Sequence, residues 1–353
     1  MFDLVHAFAD ARPVSGVNQF VWQLAGHQAQ ELKYNSVTVL SLAAPPADPP
    51  EGVRVLRVNP LTMGAVLRRL RPDVLHTHSV LRPGLAVLAV AAKVTGTPTV
   101  SSPHGGYAPA AIARRNFWKK TYTRFVESAR LASIDLHFAY TEAEKRAILA
   151  VSPHARVVIV GSGIRKMDAD RPAPAPGQPK VLSYMGRGDI QHKGLDRLVE
   201  VARALPSYEF RLYGKGLESL DRFSLPGNLR IIGVVTGHAK ARALVESSGM
   251  VLLSRWEAYG LCLVESMSVG VPVAVSPECD LADMIAGERL GLVLSDADDA
   301  TASAEQIVKY LDSDDATANA LRAQSWADGS GSMAAAAHRI DQAYRSLAGS
   351  GPR

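Results

Sequence analysis

One stretch of the chain combines carboxylates, glycine and a helical pattern in an order that suits a phosphorylated polyol. It is Ser254 to Ser276, SRWEAYGLCLVESMSVGVPVAVS. An apolar run ends at Leu253, a loop carries Glu257, and a helical pattern starts from about Gly260 and carries Glu265. A helix N-terminus presents unpaired N–H groups and a partial positive charge, so Tyr259-Gly260-Leu261 suits a phosphate. Glu257, just ahead of it, can accept bonds from sugar hydroxyls, and Glu265 can reach a second diol such as a ribose. A carboxylate only accepts, and a diol donates twice. The competing account is a pair of solvated helix-end charges. The ordered context of strand end, loop, helix and Gly-Val-Pro turn favours the ligand.

A second run, GRGDIQHKG from Gly186 to Gly194, follows a strand-like segment. Arg187 and Lys193 are two cations at a strand–helix loop, where they can flank a diphosphate and neutralise charge on a leaving group. Gly214-Lys215-Gly216 is another strand-end turn of the same kind. In SPHGGY (102–107), His104 sits beside two glycines that let another group approach closely, so it can meet a sugar hydroxyl or handle a proton. In PVSGVNQFV (13–21), Ser15 and Gly16 turn the chain into a helix from Val17 to Gln30, a weak form of a glycine-rich phosphate loop.

Other matches are discounted. Asp168-Ala-Asp170, Asp296-Ala-Asp298 and Asp312-Ser-Asp314 have the Asp-x-Asp spacing of metal–nucleotide enzymes, but they read as linker and acidic surface turns. His76-x-His78 shows no third ligand and reads as polar lining of a cleft, so no metal is expected. No P-loop, no G-x-G-x-x-G opening the first helix and no G-x-S-x-G elbow is present. Arg114 to Arg130, RRNFWKKTYTRFVESAR, is basic and aromatic with a helical period. It reads either as a helix with Phe117, Tyr122 and Phe125 inward and cations outward, or as a face resting on anionic lipid with Trp118 at the interface. Nucleic acid is not an expected partner, because no matching module accompanies it.

These residues need a scaffold that puts strand ends side by side. Apolar, β-branched runs alternate with helical patterns along the whole chain, twelve strands from Leu4–Phe8 to Gly291–Leu294. Such alternation means parallel sheets covered by helices on both faces, and two sheets of about six strands are more reasonable than one of twelve. DADRPAPAPGQP (168–179) is a proline-rich linker. Residues 1–168 and 180–331 are therefore expected as two Rossmann-like units joined by 169–179, with an Ala-rich helix in 332–353. The length of 353 residues supports two cores. Two cysteines exclude a disulfide framework or a four-cysteine zinc site. The longest apolar run, Gly84 to Ala92, is too short to span a bilayer, and the first residues lack a leader pattern, so a cytoplasmic protein is expected. Net charge is +5 but uneven: residues 1–170 hold 20 Lys and Arg against 12 Asp and Glu, and the remainder 19 against 22. The basic front half suits an anionic partner.

In this order the runs resemble the retaining glycosyltransferases of family 4, the group 1 transferases of GT-B fold. The resemblance rests on RPDVLHTH (71–78), SPHGGYAP (102–109), AYTEAEKRAI (139–148), VVIVGSGI (157–164), GRGDIQHKGLDRLVEVA (186–202) and the Glu-x7-Glu run. It implies two doubly wound parallel-sheet domains facing a central cleft, with the final helix crossing back to the first. It implies a nucleotide-diphospho-sugar donor on the C-terminal domain and a saccharide or lipid-linked acceptor on the N-terminal one. Arg187 and Lys193 would hold the diphosphate, Glu257 the transferred sugar and Glu265 the ribose, with Gly186, Gly214, Tyr259, Gly260 and Leu261 also binding the donor. Ser15 and Gly16 would close on the phosphate, and His104 would contact the sugar. Such enzymes retain anomeric configuration and usually need no metal, the cations taking its electrostatic role. Ser15-Gly16 replaces a common glycine pair, Ala258 a common glycine and Tyr259 a common Phe. The resemblance to members that build bacterial surface polysaccharides suggests a peripheral enzyme at the inner membrane face. A nucleotide-sugar epimerase and a non-catalytic nucleotide-sugar binder remain the alternatives.

Overall fold

In the computed structural model, residues 2–11, 15–43, 48–59, 61–113, 123–167, 169 and 180–349 are described. Short segments of three to six residues become strands β1 (Asp3–Phe8), β2 (Ser36–Ser41), β3 (Val53–Arg57), β4 (Val74–His78), β5 (Thr99–Ser102), β6 (Leu136–Ala139) and β7 (Val157–Ile159). They form one parallel sheet in the order β3-β2-β1-β4-β5-β6-β7. Every residue of β4, β5 and β6 is buried, as a parallel sheet covered on both faces requires. A second parallel sheet holds β8 (Val181–Met185), β9 (Glu209–Tyr213), β10 (Leu229–Gly233), β11 (Gly249–Leu252), β12 (Val273–Val275) and β13 (Leu292–Val293), in the order β10-β9-β8-β11-β12-β13. Its helix Leu195–Ala204 buries Leu195, Leu198, Val199 and Ala202, the apolar stripe of the sequence.

Contacts divide the chain into one unit of residues 1–163 and 333–353 and another of 164–332. The division falls after Gly163 rather than after Asp168 as the composition suggested. The reason is local: Ile164 bridges Ser332 and its N–H bonds the Gly331 carbonyl at 3.1 Å, which ties 164–167 to the second unit. Of the proline-rich stretch only Ala169 is among the described residues. The helix Met333–Gly349 packs within the first unit, where the Tyr34 hydroxyl donates to Asp341 at 2.5 Å and Arg339 donates to the Val160 carbonyl at 2.6 Å.

Two expectations need correcting. β6 was not among the expected strands; LHFA has no β-branched residue and only four positions. The basic segment 114–130 does not simply point cations out. Residues 114–122 lie outside the described residues, but Phe125 is 67% exposed and Arg130 is fully buried. A π-helical turn, Thr123–Glu127, adds a residue to the winding and rotates the following face. Arg130 then donates to Glu127 at 2.8 Å, Ser101 at 3.0 Å and Tyr107 at 3.0 Å, and the Tyr107 hydroxyl bonds Glu127 as well. A cation tolerates burial when it is paired and its donors are used. No helix among the described residues is long and apolar enough to cross a membrane.

Candidate functional site

In an open parallel sheet, ligands bind at the carboxyl ends of the strands where the strand order reverses. In the second unit that reversal lies between β8 and β11. The end of β8 delivers Gly186 and Arg187, and the end of β11 leads to Glu257. Two glycine turns, after β8 and β9, meet backbone to backbone: Gly186 N–H bonds the Tyr213 carbonyl and Gly188 N–H the Lys215 carbonyl, both at 2.9 Å. A Cβ on Gly188 would lie 1.7 Å from the Gly216 oxygen, and one on Gly214, whose φ is +150°, 1.7 Å from the Gly186 oxygen. No side chain fits between these turns, which explains the glycines. Arg187 is exposed and makes no side-chain hydrogen bond or ion pair among the described residues. Its carbonyl accepts from the Tyr184 hydroxyl at 2.9 Å.

Lys193 ends the short helix Ile190–Lys193, capped by Asp189, and ion-pairs with Glu257; both side chains are largely buried, at 11% and 13% exposure. Gly194 follows in the left-handed conformation, where a Cβ would strike the Leu253 carbonyl at 1.9 Å. Glu257 is held by its own backbone, which bridges Cys279 and accepts from Asp280 N–H at 2.9 Å. Gly260, at φ +64°, begins the helix Leu261–Ser268, and no side chain caps its first amides. Glu265 on that helix meets Lys240 at 2.5 Å. His192 stacks on Trp256 with centroids 4.2 Å apart, and burial, then the Lys193 charge, holds it neutral with a pKa lowered to about 4. Burial, then the charge of Glu257, pushes the Cys262 thiol up to about 12, so it stays a thiol.

Arg187, Lys193, Glu257, Tyr259, Gly260, Leu261, Glu265, Gly186 and Gly214 thus lie on loops and short helices of one unit. Lys240 and Trp256 were missed in the sequence. Lys240 sits mid-helix, without a motif, and only the fold brings it to Glu265. The Asp-x-Asp pairs serve other partners: Asp298 clamps Arg197 through two bonds of 2.6 and 2.7 Å, and Asp312 pairs with Lys180. Asp168 and Asp170 lie outside the described residues.

The first unit holds a different cluster at its own reversal, between β1 and β4. The register sets His6 opposite His76, and the two-residue strand period places His78 on the same face as His76. All three are fully buried. This corrects the expectation of cleft-lining polar residues without a third imidazole. Their nitrogens lie within 4.8 Å of one another, close enough for a metal, yet each is occupied. His6 Nδ1 bonds His78 Nε2 at 2.9 Å and His6 Nε2 bonds Gln28 Oε1 at 2.8 Å. His76 bonds the Tyr344 hydroxyl at 2.5 Å and the Ser102 hydroxyl at 2.8 Å. His78 Nδ1 bonds His104 Nε2 at 3.1 Å. Burial lowers the His6 pKa to about 4 and the His104 pKa to about 3, and burial with the neighbouring imidazoles holds His76 and His78 well down. All four are neutral near pH 7.

His104 follows β5 in a left-handed turn, φ +52°, stacked on Tyr140 with centroids 4.9 Å apart. Glu144 holds the turn, accepting from Gly105 N–H at 2.7 Å and Tyr140 N–H at 2.9 Å. Thr141 caps the helix Glu142–Val151 by accepting from Glu144 N–H, half of a capping box whose carboxylate is turned to the histidine loop. Burial pushes the Glu144 carboxyl up to about 7 against its backbone donors. Ser15 caps the helix Gly16–Gln30 by accepting from Asn18 N–H at 3.2 Å; Gly16 is exposed.

Comparison with known proteins gives this arrangement a family. Residues 14–166 match the family model Glycosyltransferase Family 4, and residues 165–325 match Glycosyl transferases group 1. The chain is 23% identical over 335 residues to a GDP-mannose:cellobiosyl-diphosphopolyprenol alpha-mannosyltransferase of Xanthomonas oryzae pv. oryzae, covering 86% of each chain. It is 25% identical over 326 residues to a phosphatidyl-myo-inositol mannosyltransferase of Mycobacterium leprae, covering 84% of this chain and 83% of the other. Among solved structures, sucrose-phosphate synthase from Thermosynechococcus elongatus superposes with a TM-score of 0.81 at 19% identity, over 98% and 99% of the two chains. Anabaena HepE in complex with UDP-glucose gives 0.77 at 16% identity, over 98% and 100%. With both sheets of the GT-B fold and matches that run from residue 14 to residue 325, the chain belongs to the group 1 glycosyltransferases.

Proposed function

We propose that the protein transfers a hexosyl group, with retention, from a nucleotide-diphospho-sugar to a hydroxyl of a saccharide or lipid-linked saccharide in surface-polysaccharide or glycolipid assembly. The observation that carries this reading is the largely buried Lys193–Glu257 pair, set beside the uncapped helix start at Gly260 and the two abutting glycine turns. Arg187 and Lys193 neutralise the departing diphosphate, and the amides after Gly260 accept part of its charge. The acceptor hydroxyl attacks on the face that the phosphate leaves, and the phosphate oxygen takes its proton. Glu257 orients the sugar, and Glu265 binds the ribose diol. His104 offers a hydrogen bond to a sugar hydroxyl. The two cations do this without a divalent ion, so turnover persists in EDTA. The named substrates of the Xanthomonas and Mycobacterium relatives, both lipid-linked, favour such an acceptor here.

A membrane-facing first unit fits the same reading. The helix Pro83–Thr95 exposes Val87, Val90 and Val94 along one stripe, and Phe125 is exposed as well. The protein is read as working on the inner membrane face. The test is transfer with a panel of nucleotide-sugars, chosen by the donors that raise the melting temperature of the protein. Lys193→Ala and Glu257→Ala should each lose transfer by orders of magnitude while staying folded. Near-normal turnover in either would sink the assignment, and conversion of the donor without any acceptor would point to an epimerase.

A further inference from the structure

Gln28, His6, His78 and His104 form one unbroken file of hydrogen bonds: Gln28 Oε1 to His6 Nε2 at 2.8 Å, His6 Nδ1 to His78 Nε2 at 2.9 Å, His78 Nδ1 to His104 Nε2 at 3.1 Å. We infer that Gln28 sets the tautomer of all three imidazoles and thereby fixes His104 as an Nε2–H imidazole whose Nδ1 can only accept a hydrogen bond from a ligand hydroxyl. The use of that acceptor by a sugar rests on the glycosyl-transfer reading; the tautomer does not.

The argument is one of donors and acceptors. A neutral imidazole has one N–H and one lone pair, so each bond in the file dictates the next. Gln28 turns Oε1 to His6 and leaves its buried Nε2 without a hydrogen-bond partner among the described residues. Oε1 can only accept, so in this orientation His6 carries its proton on Nε2 and offers a lone pair at Nδ1. His78 must then donate from Nε2, leaving Nδ1 as acceptor, and His104 must donate from Nε2 in turn. His104 Nδ1 makes no hydrogen bond among the described residues and is the open end of the file. Reversing one member would set two lone pairs or two protons face to face beside the fully buried His6 and His78, at the cost of an unmade bond. A charged file is no alternative. With pKa values near 4 for His6 and 3 for His104, on the order of one molecule in a thousand or fewer carries a proton on either at pH 7. His76 bonds the Tyr344 and Ser102 hydroxyls and lies outside the file. Gln28, His6 and His78 are positioning residues, the first of them on the helix that starts at Ser15–Gly16.

The experiment is nitrogen-15 NMR of histidine-labelled, ligand-free full-length protein, in which long-range proton correlations separate protonated from bare ring nitrogens. His6, His78 and His104 should all show Nε2–H and a bare Nδ1. An Nδ1–H signal for His104, or a mixture of tautomers, would overturn the inference. So would stoichiometric zinc retained by the histidines with loss of these N–H signals. The Gln28 amide oxygen is the acceptor that starts the file. Gln28→Met removes it and should give His104 mixed tautomers; should that variant not fold, His6→Leu breaks the file one step later with the same expectation. On the donor found above, the tautomer mixture should lower kcat/KM about tenfold, the loss of one hydrogen bond. An unchanged His104 pattern in a folded Gln28→Met protein would refute the role of Gln28. If no variant and no wild-type protein turns over any donor while the wild-type pattern is as stated, the glycosyl-transfer reading fails and the tautomer assignment stands.

Discussion

The buried titratable groups of the first unit make opposing demands as pH falls, and the two can be separated by substitution. His6 is neutral and wholly buried, its pKa lowered from 6.5 to about 4. Between those values the unfolded chain binds a proton that the folded chain refuses, so stability is present above pH 6.5 and lost on the way down to pH 4. Glu144 has the opposite sign. Its pKa is raised from 4.5 to about 7, so its contribution is present below 4.5 and is lost as pH rises through 7. Linkage gives roughly 2 kcal/mol lost through His6 and roughly 2 kcal/mol gained through Glu144 on going from about pH 7 to about pH 5. These two terms nearly cancel. His76, His78, His104 and His137 are all lowered by burial, so the wild-type protein should still lose stability over this range. Urea unfolding at the two pH values measures it. Fluorescence of Trp22, buried in the first unit, read in a protein whose other three tryptophans are replaced by Phe, is the probe for that unit. His6→Gln should lessen the acid loss by roughly 2 kcal/mol and Glu144→Gln should deepen it by roughly 2 kcal/mol, whatever each costs at pH 7. Equal pH dependence in the two variants would refute the assignment of charge states, and with it the neutral histidine cluster.

Three further outcomes are expected. Gly188→Ala should abolish donor binding, because its Cβ would sit 1.7 Å from the Gly216 carbonyl oxygen; calorimetric titration with the donor measures this, and wild-type affinity would contradict the close packing of the two turns. Arg130→Met should lower stability by about 3–5 kcal/mol, since it strands a buried Glu127 carboxylate, whereas Arg130→Met with Glu127→Gln should recover most of it; thermal unfolding of the single and double variants decides. Glu265→Gln should weaken binding of a nucleoside diphosphate more than that of inorganic pyrophosphate, because only the former carries the ribose diol; equal losses in a competition assay would remove Glu265 from the ribose site.

The sheets were legible because parallel strands buried on both faces read as β-branched apolar runs, and Val181–Met185 and Glu209–Tyr213 have the expected bounds. Leu136–Ala139 escaped because a short strand without branching has no period to betray it. Arg187, Lys193, Glu257 and Glu265 were visible because each lies near a strand end or helix start within one local run. Their partners obey no such locality. Lys240 reaches Glu265 from a separate helix, and His6 meets His78 across 72 positions because β1 lies beside β4. Arg130 was misread for a related reason. A helical period assigns faces on the assumption of regular winding, and the π turn at Thr123–Glu127 breaks it. The acids and hydroxyls that satisfy its guanidinium come from three other parts of the chain as well as from the preceding turn.

The fastening of Met333–Gly349 onto the first unit reaches beyond the finished structure. Tyr34 finds Asp341 across 307 positions and His76 finds Tyr344 across 268. During synthesis the first unit therefore emerges first and is completed last, while residues 164–332, a continuous segment, can fold as soon as they are released. In the interval the ring faces of Phe2, His76 and Phe138 that Tyr344 comes to cover are bare. The first unit therefore closes only after the second has been made, and the nascent chain must stay soluble with its first unit open until residues 333–349 have left the ribosome.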